Sequence, residues 1–111
     1  MLHKLKYLFH KNRCYCETNI SEQQLKKMLE KGALLLDVRS PQEFEEGHLE
    51  NAISLPEYEI KEKANHILPN KSQVMIVYCS TGHRSQKAQK TLQKLGYEKV
   101  YNLCKGLENY E

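Results

Sequence analysis

The chain has 111 residues, 28% charged and 40% hydrophobic, with a formal net charge of +3. That length suits one domain with a single core, and the composition suits a globular protein. No apolar run approaches the ~20 residues that span a bilayer. The excess charge is local. Residues 1–13 hold Lys4, Lys6, Lys11 and Arg13 and no acid. Taking those four from the 17 basic residues leaves 13 against 14 acidic ones, so the rest is nearly neutral and offers no basic face for nucleic acid.

Leu2, Leu5, Leu8 and Phe9 recur at near-helical spacing among the N-terminal lysines. Such a segment would make a peripheral membrane contact as an amphipathic helix. So short a helix is marginal alone, and a solvated tail is the favoured reading. The chain thus divides into a basic tail, 1–14, and a domain, 15–111. The tail lacks a continuous apolar core and a small-residue cleavage site, so it does not read as a secretory signal. The expected compartment is the cytoplasm, with Cys14, Cys16, Cys79 and Cys104 reduced. Cys14 and Cys16 stand at the start of a first strand, predicted over 15–20, and read as structural or incidental. No cysteine spacing matches a zinc knuckle.

Ser21-Glu22-Gln23-Gln24 reads as a capping box, with Ser at N-cap and Gln at N3. Leu25, Met28 and Leu29 form the buried stripe of the helix it opens, and Gly32 ends that helix. The apolar run 33–38 is too short for a helix and fits a parallel strand covered on both faces. Ser40-Pro41-Gln42-Glu43 is a second capping box with Pro at N1, opening a brief helix that stops at Gly47. Residues 52–55 make the third strand, closed by Pro56. Residues 57–68 carry Ile60, Ala64, Ile67 and Leu68 at helical spacing, before Pro69. Residues 73–78 are the fourth strand, 85–95 the longest helix, ended by Gly96, and 99–103 a fifth strand. A last helical turn begins at 105–110. Alternating strands and helices imply a parallel five-stranded sheet with helices on both faces, and ligands then bind beyond the carboxyl ends of the strands.

Cys79-Ser80-Thr81-Gly82-His83-Arg84-Ser85 lies at such an end. A short polar turn between strand and helix points its backbone N–H groups inward, and the helix start adds partial positive charge. A cysteine there sits where a nucleophilic thiolate is favoured. Gly82 permits a backbone conformation that a side chain resists, and Arg84 offers a charged fork to an anion. A cysteine at a strand end is often only packing. The small and polar residues that follow this one make a poor core and a good anion cradle.

This loop resembles the Cys-x-x-Gly-x-Arg-Ser/Thr active-site loop of the rhodanese family. Residues 36–56, running Asp37-Val38-Arg39, Glu43-Phe44, Gly47-His48-Leu49, Asn51-Ala52-Ile53 and Pro56, resemble that family's Asp-Val-Arg…Glu-Phe…Gly-His-Ile…Gly-Ala-Ile…Pro signature. The resemblance spans about residues 18–110. It implies a three-layer rhodanese-like α/β fold and transfer of sulfane sulfur through a Cys79 persulfide. The donor would be thiosulfate, a polysulfide or a persulfide, and the acceptor a thiol, including a protein thiol, or cyanide. The amides of Ser80, Thr81, Gly82, His83, Arg84 and Ser85 would cradle the sulfur, Arg84 would orient the donor, and His83 stands at a variable position. Asp37, Arg39, Glu43 and His48 are expected to support the site, with Arg39 paired to Glu43, Asp37 holding the loop and His48 a structural hydrogen-bonder. No metal or organic cofactor is implied.

The chain departs from the pattern in three places. Asn51 stands for the usual Gly, but Asn tolerates a left-handed turn. Lys105 replaces the first Gly of a Gly-Gly-x-x-x-Trp run, and Tyr110 its Trp. Cys104, just before it, is a candidate accessory thiol that would resolve the persulfide or accept its sulfur. Two other readings compete. A Cys-dependent phosphatase or arsenate reductase would want five residues between Cys and Arg, where this loop has Ser80 to His83. A non-catalytic rhodanese-like binding or sulfur-relay module would typically lack the loop cysteine.

Overall fold

The computed structural model describes residues 20–103. Helix α1, Glu22–Glu30, starts where Ser21 and Gln24 close their capping box. It ends at Gly32, whose positive φ of 98° suits a residue without Cβ. Strand β1 is Leu34–Asp37 and helix α2 is Pro41–Glu46, opened by the Ser40–Glu43 capping box. Asn51, at φ 67°, makes the left-handed turn into β2, Ile53–Ser54. A 3-10 turn, Glu57–Glu59, precedes α3, Ile60–Ile67. Then come β3, Met75–Tyr78, α4, His83–Lys94, and β4, Val100–Asn102.

The four strands lie in the order β2-β1-β3-β4, all parallel. The expected strand over 15–20 lies outside the described residues except for Ile20, whose N–H donates to the Asn102 carbonyl at 3.1 Å. The described sheet therefore has four strands against the five expected. Cys14, Cys16, Cys104 and the turn at 105–110 also lie outside the described residues. Two boundaries moved. The first turn of the 57–68 helix is 3-10, because no side chain caps its start and Pro56 fixes the entry. The longest helix begins at His83, two residues early, because Gly82 takes the N-cap position.

Strand alternation splits the core into two layers. Leu36, Val38, Met75, Val77 and Val100 meet Ile60, Ala64 and Leu68 near α3 and Ala88 and Leu92 of α4 on one face. Leu35, Ile76 and Tyr78 meet Leu25, Met28 and Leu29 of α1 on the other. Strands of two to four residues carry few ladder bonds, so burial holds them. Each fully buried Leu, Ile or Val contributes roughly 1.5–3 kcal/mol. Among the described residues no helix is long and apolar enough to cross a membrane.

Candidate active site

The carboxyl ends of β1 and β3 are locked side by side. Past the last paired residues, Val38 N–H donates to the Tyr78 carbonyl at 3.0 Å and Leu55 N–H to the Asp37 carbonyl at 2.9 Å. The 37–39 turn and the 79–85 loop therefore leave the sheet as neighbours, as expected for a parallel sheet.

Cys79 is 1% exposed and a member of the α3/α4-side core. Its Sγ accepts N–H bonds from Gly82 at 3.1 Å and Ser85 at 3.3 Å, and lies 3.5 Å from the Ser85 hydroxyl. That hydroxyl donates to the Gly82 carbonyl at 3.1 Å. Gly82, at φ 103° and ψ −14°, turns the chain so that its own amide aims back at the sulfur. The cradle is narrower than the six amides expected: among the described residues, those of Gly82 and Ser85 bond the sulfur. His83 is exposed at the first position of α4.

Arg39 and Glu43 do not pair with each other, which corrects the expectation from their sequence spacing. Arg39 folds back on Asp37, with Nε at 3.0 and 3.1 Å from its two carboxylate oxygens and Nη2 at 2.7 Å. The same Nη2 donates to the Gly47 carbonyl at 2.6 Å. Glu43 instead takes Arg84, Nη1 to Oε1 at 2.7 Å and Nη2 to Oε2 at 3.0 Å. Tertiary packing decided this, because the cap at Ser40 turns Glu43 toward the loop while the strand end turns Arg39 inward. The Arg84 bond, with the Ser40 amide and hydroxyl, lowers the Glu43 carboxyl to about 2. The same bond raises the Arg84 guanidinium above its ordinary value.

Among the described residues, Asp37 holds the 37–39 turn rather than bonding the 79–85 loop directly. It is fully buried and also accepts from the Arg39 amide at 2.9 Å and the Tyr78 hydroxyl at 2.7 Å. Tyr78 in turn accepts the Leu49 N–H at 3.0 Å. Burial, with the Asp37 carboxylate beside it, pushes the Tyr78 phenol well above its usual range, so it stays a donor. The sequence reading missed this post, placing Tyr78 only as the end of the fourth strand. The available signal was the hydroxyl itself, since a buried Tyr needs a polar partner. His48 is exposed, with Nδ1 2.9 Å from the Phe44 carbonyl and its ring stacked on Phe44 at 3.7 Å, a local brace. Among the described residues no group of three or more His, Cys, Asp or Glu side chains is placed to hold a metal ion.

The family model described as the rhodanese-like domain matches residues 21–111. The thiosulfate sulfurtransferase PspE of Escherichia coli K12 is 36% identical over 67 residues, covering 60% of this chain and 64% of PspE. A tRNA uridine(34) hydroxylase of Buchnera aphidicola is 32% identical over 98 residues, covering 84% of this chain and 31% of that protein. The chain thus spans less than two thirds of the length of these relatives. Among solved structures, the human single-domain sulfurtransferase TSTD1 superposes with a TM-score of 0.76 at 23% identity, covering 86% of this chain and 96% of that one, a likeness of fold.

Proposed function

The chain belongs to the rhodanese-like family, and on that premise we propose that it is a sulfurtransferase that carries a sulfane sulfur on Cys79. The observation that carries the reading is the convergence of the Gly82 and Ser85 amides on Sγ. Fixed N–H dipoles in a water-poor site favour negative charge at that atom without reorganisation. Cys79 as thiolate attacks the outer sulfur of a sulfane donor of the thiosulfate, polysulfide or persulfide type. The donor's S–S bond breaks, and its inner sulfur leaves with the electron pair. In the second half-reaction a thiol or cyanide takes the outer sulfur and Cys79 leaves as thiolate. The same amides stabilise it in both directions, so one cradle serves the double displacement. The Ser85 hydroxyl can turn from the Gly82 carbonyl to the sulfur as charge appears there.

The deep position of Cys79 supports the reading. At 1% exposure it admits a protruding sulfur atom more readily than a bulky tetrahedral anion. Arg84, which a phosphatase would aim at its substrate's oxygens, is turned to Glu43.

Intact mass of the reduced protein after brief treatment with thiosulfate or polysulfide tests this. A gain of one sulfur, reversed by cyanide or dithiothreitol and absent in Cys79→Ala, is the expected result. No adduct from either donor, nor from a thiol persulfide, would refute the carrier role and favour a binding module.

A further inference from the structure

Arg84 is the guanidinium of the 79–85 loop, and its fork is already filled. Both Nη atoms lie on the two oxygens of Glu43. Glu43 is held there from behind, because Oε1 also accepts from the Ser40 amide and hydroxyl, each at 3.0 Å, in the cap of α2. The other guanidinium on this rim, Arg39, is closed on Asp37. Both formal positive charges are thus matched by carboxylates. Among the described residues, an incoming donor at Cys79 meets chiefly the partial charges of two amides.

We propose that Glu43 is the specificity-determining residue of the loop: by cancelling the charge of Arg84 it disfavours dianionic donors such as thiosulfate and leaves Cys79 to be loaded by persulfides of thiols. The inference rests on the sulfurtransferase reading and narrows its donor class. The leaving group makes the difference. From thiosulfate, the Cys79 thiolate bonds the outer sulfur, the S–S bond breaks, and sulfite departs with the electron pair as a dianion. From a persulfide RSSH, the same bond forms, the S–S bond to R breaks, and RS⁻ departs while the proton stays on the new persulfide. Three negative charges gather at the loop in the first case and one in the second. A guanidinium already neutralised offers little to the first. Displacing Glu43 to free it would break a bidentate pair that is also tied into a helix cap.

Initial rates of sulfur loading, read as mass gain, compare sodium thiosulfate with cysteine persulfide on the full chain and on Glu43→Gln. Gln retains the N3 capping role, so the start of α2 is kept. The thiosulfate-to-persulfide rate ratio is expected to rise about tenfold in Glu43→Gln. That is the scale for removing one charge that repels a dianion in a high-dielectric rim, the Arg84 and Glu43 side chains being 41% and 33% exposed. Wild-type thiosulfate loading should vary less than about twofold between low salt and ~0.3 M, since a neutral rim gives salt little to screen. A folded Glu43→Gln with an unchanged ratio overturns the inference, as does wild-type thiosulfate loading that collapses with salt as at a net positive site. The salt comparison needs no variant, so it decides the matter even if Glu43→Gln does not fold. Loading by both donors with an unshifted ratio removes only the role of Glu43. Loading by neither removes the sulfurtransferase reading as well.

Discussion

Asp37→Asn is expected to be the most damaging conservative change near the site. The wild-type carboxylate is fully buried and receives the Arg39 amide, Nε and Nη2 and the Tyr78 hydroxyl. Asn removes the charge and turns one acceptor into a donor that faces other donors. Arg39, only 6% exposed, is left as a buried cation without its counter-ion. Removing one partner of a buried pair costs about 3–5 kcal/mol, against a total stability of roughly 5–15 kcal/mol for a domain of this kind. Urea unfolding followed by far-UV circular dichroism measures it. With a slope of about 1–3 kcal/mol per molar, the midpoint should fall by more than 1 M. Asp37→Asn combined with Arg39→Gln should be milder than the sum of the two single changes, because the second substitution removes the stranded charge. A single-variant loss under about 1 kcal/mol, or strict additivity, would refute the assignment of Asp37 and Arg39 as a dependent pair.

Two further outcomes are expected. The Glu43 carboxyl is lowered to about 2 from an ordinary 4.5, so its ion pair stabilises the fold above about pH 4.5 and loses that effect as pH falls toward 2. Urea midpoints at pH 6 and pH 3 should therefore drop further for wild type than for Glu43→Gln, and equal drops would count against the pairing. Gly82→Ala places a side chain at φ 103°, costing about 1–2 kcal/mol. It should also slow alkylation of Cys79 by iodoacetamide several-fold as the Gly82 amide leaves the sulfur, and an unchanged alkylation rate would show that this amide does not tune the thiol.

Local chemistry made much of the fold legible in the residues. Both capping boxes, the stops at Gly32 and Gly96, the left-handed Asn51 and the continuous apolar runs of β1 and β3 each follow from interactions within a few positions. The 79–85 loop was legible for the same reason. A Cys, a Gly and an Arg at fixed offsets after a buried strand already specify a turn whose amides face inward. Its detail was less so. The Arg39–Glu43 pairing failed because four residues of separation favours contact on one continuous helix, and here a strand end and a helix cap intervene. Tyr78 was overlooked because strand periodicity reports which face a residue covers, and its hydroxyl crosses to a turn 29 positions away.

The sequence by itself determined where the chain turns, caps and buries, since those depend on backbone conformation and apolar spacing over short distances. Which charges meet was decided only when the parallel sheet brought the ends of β1 and β3 together. Glu43 and Arg84 are 41 residues apart, as are Asp37 and Tyr78. An ion pair is fixed by distance in space and by what water is excluded, and neither quantity is written along a chain until the sheet sets its register.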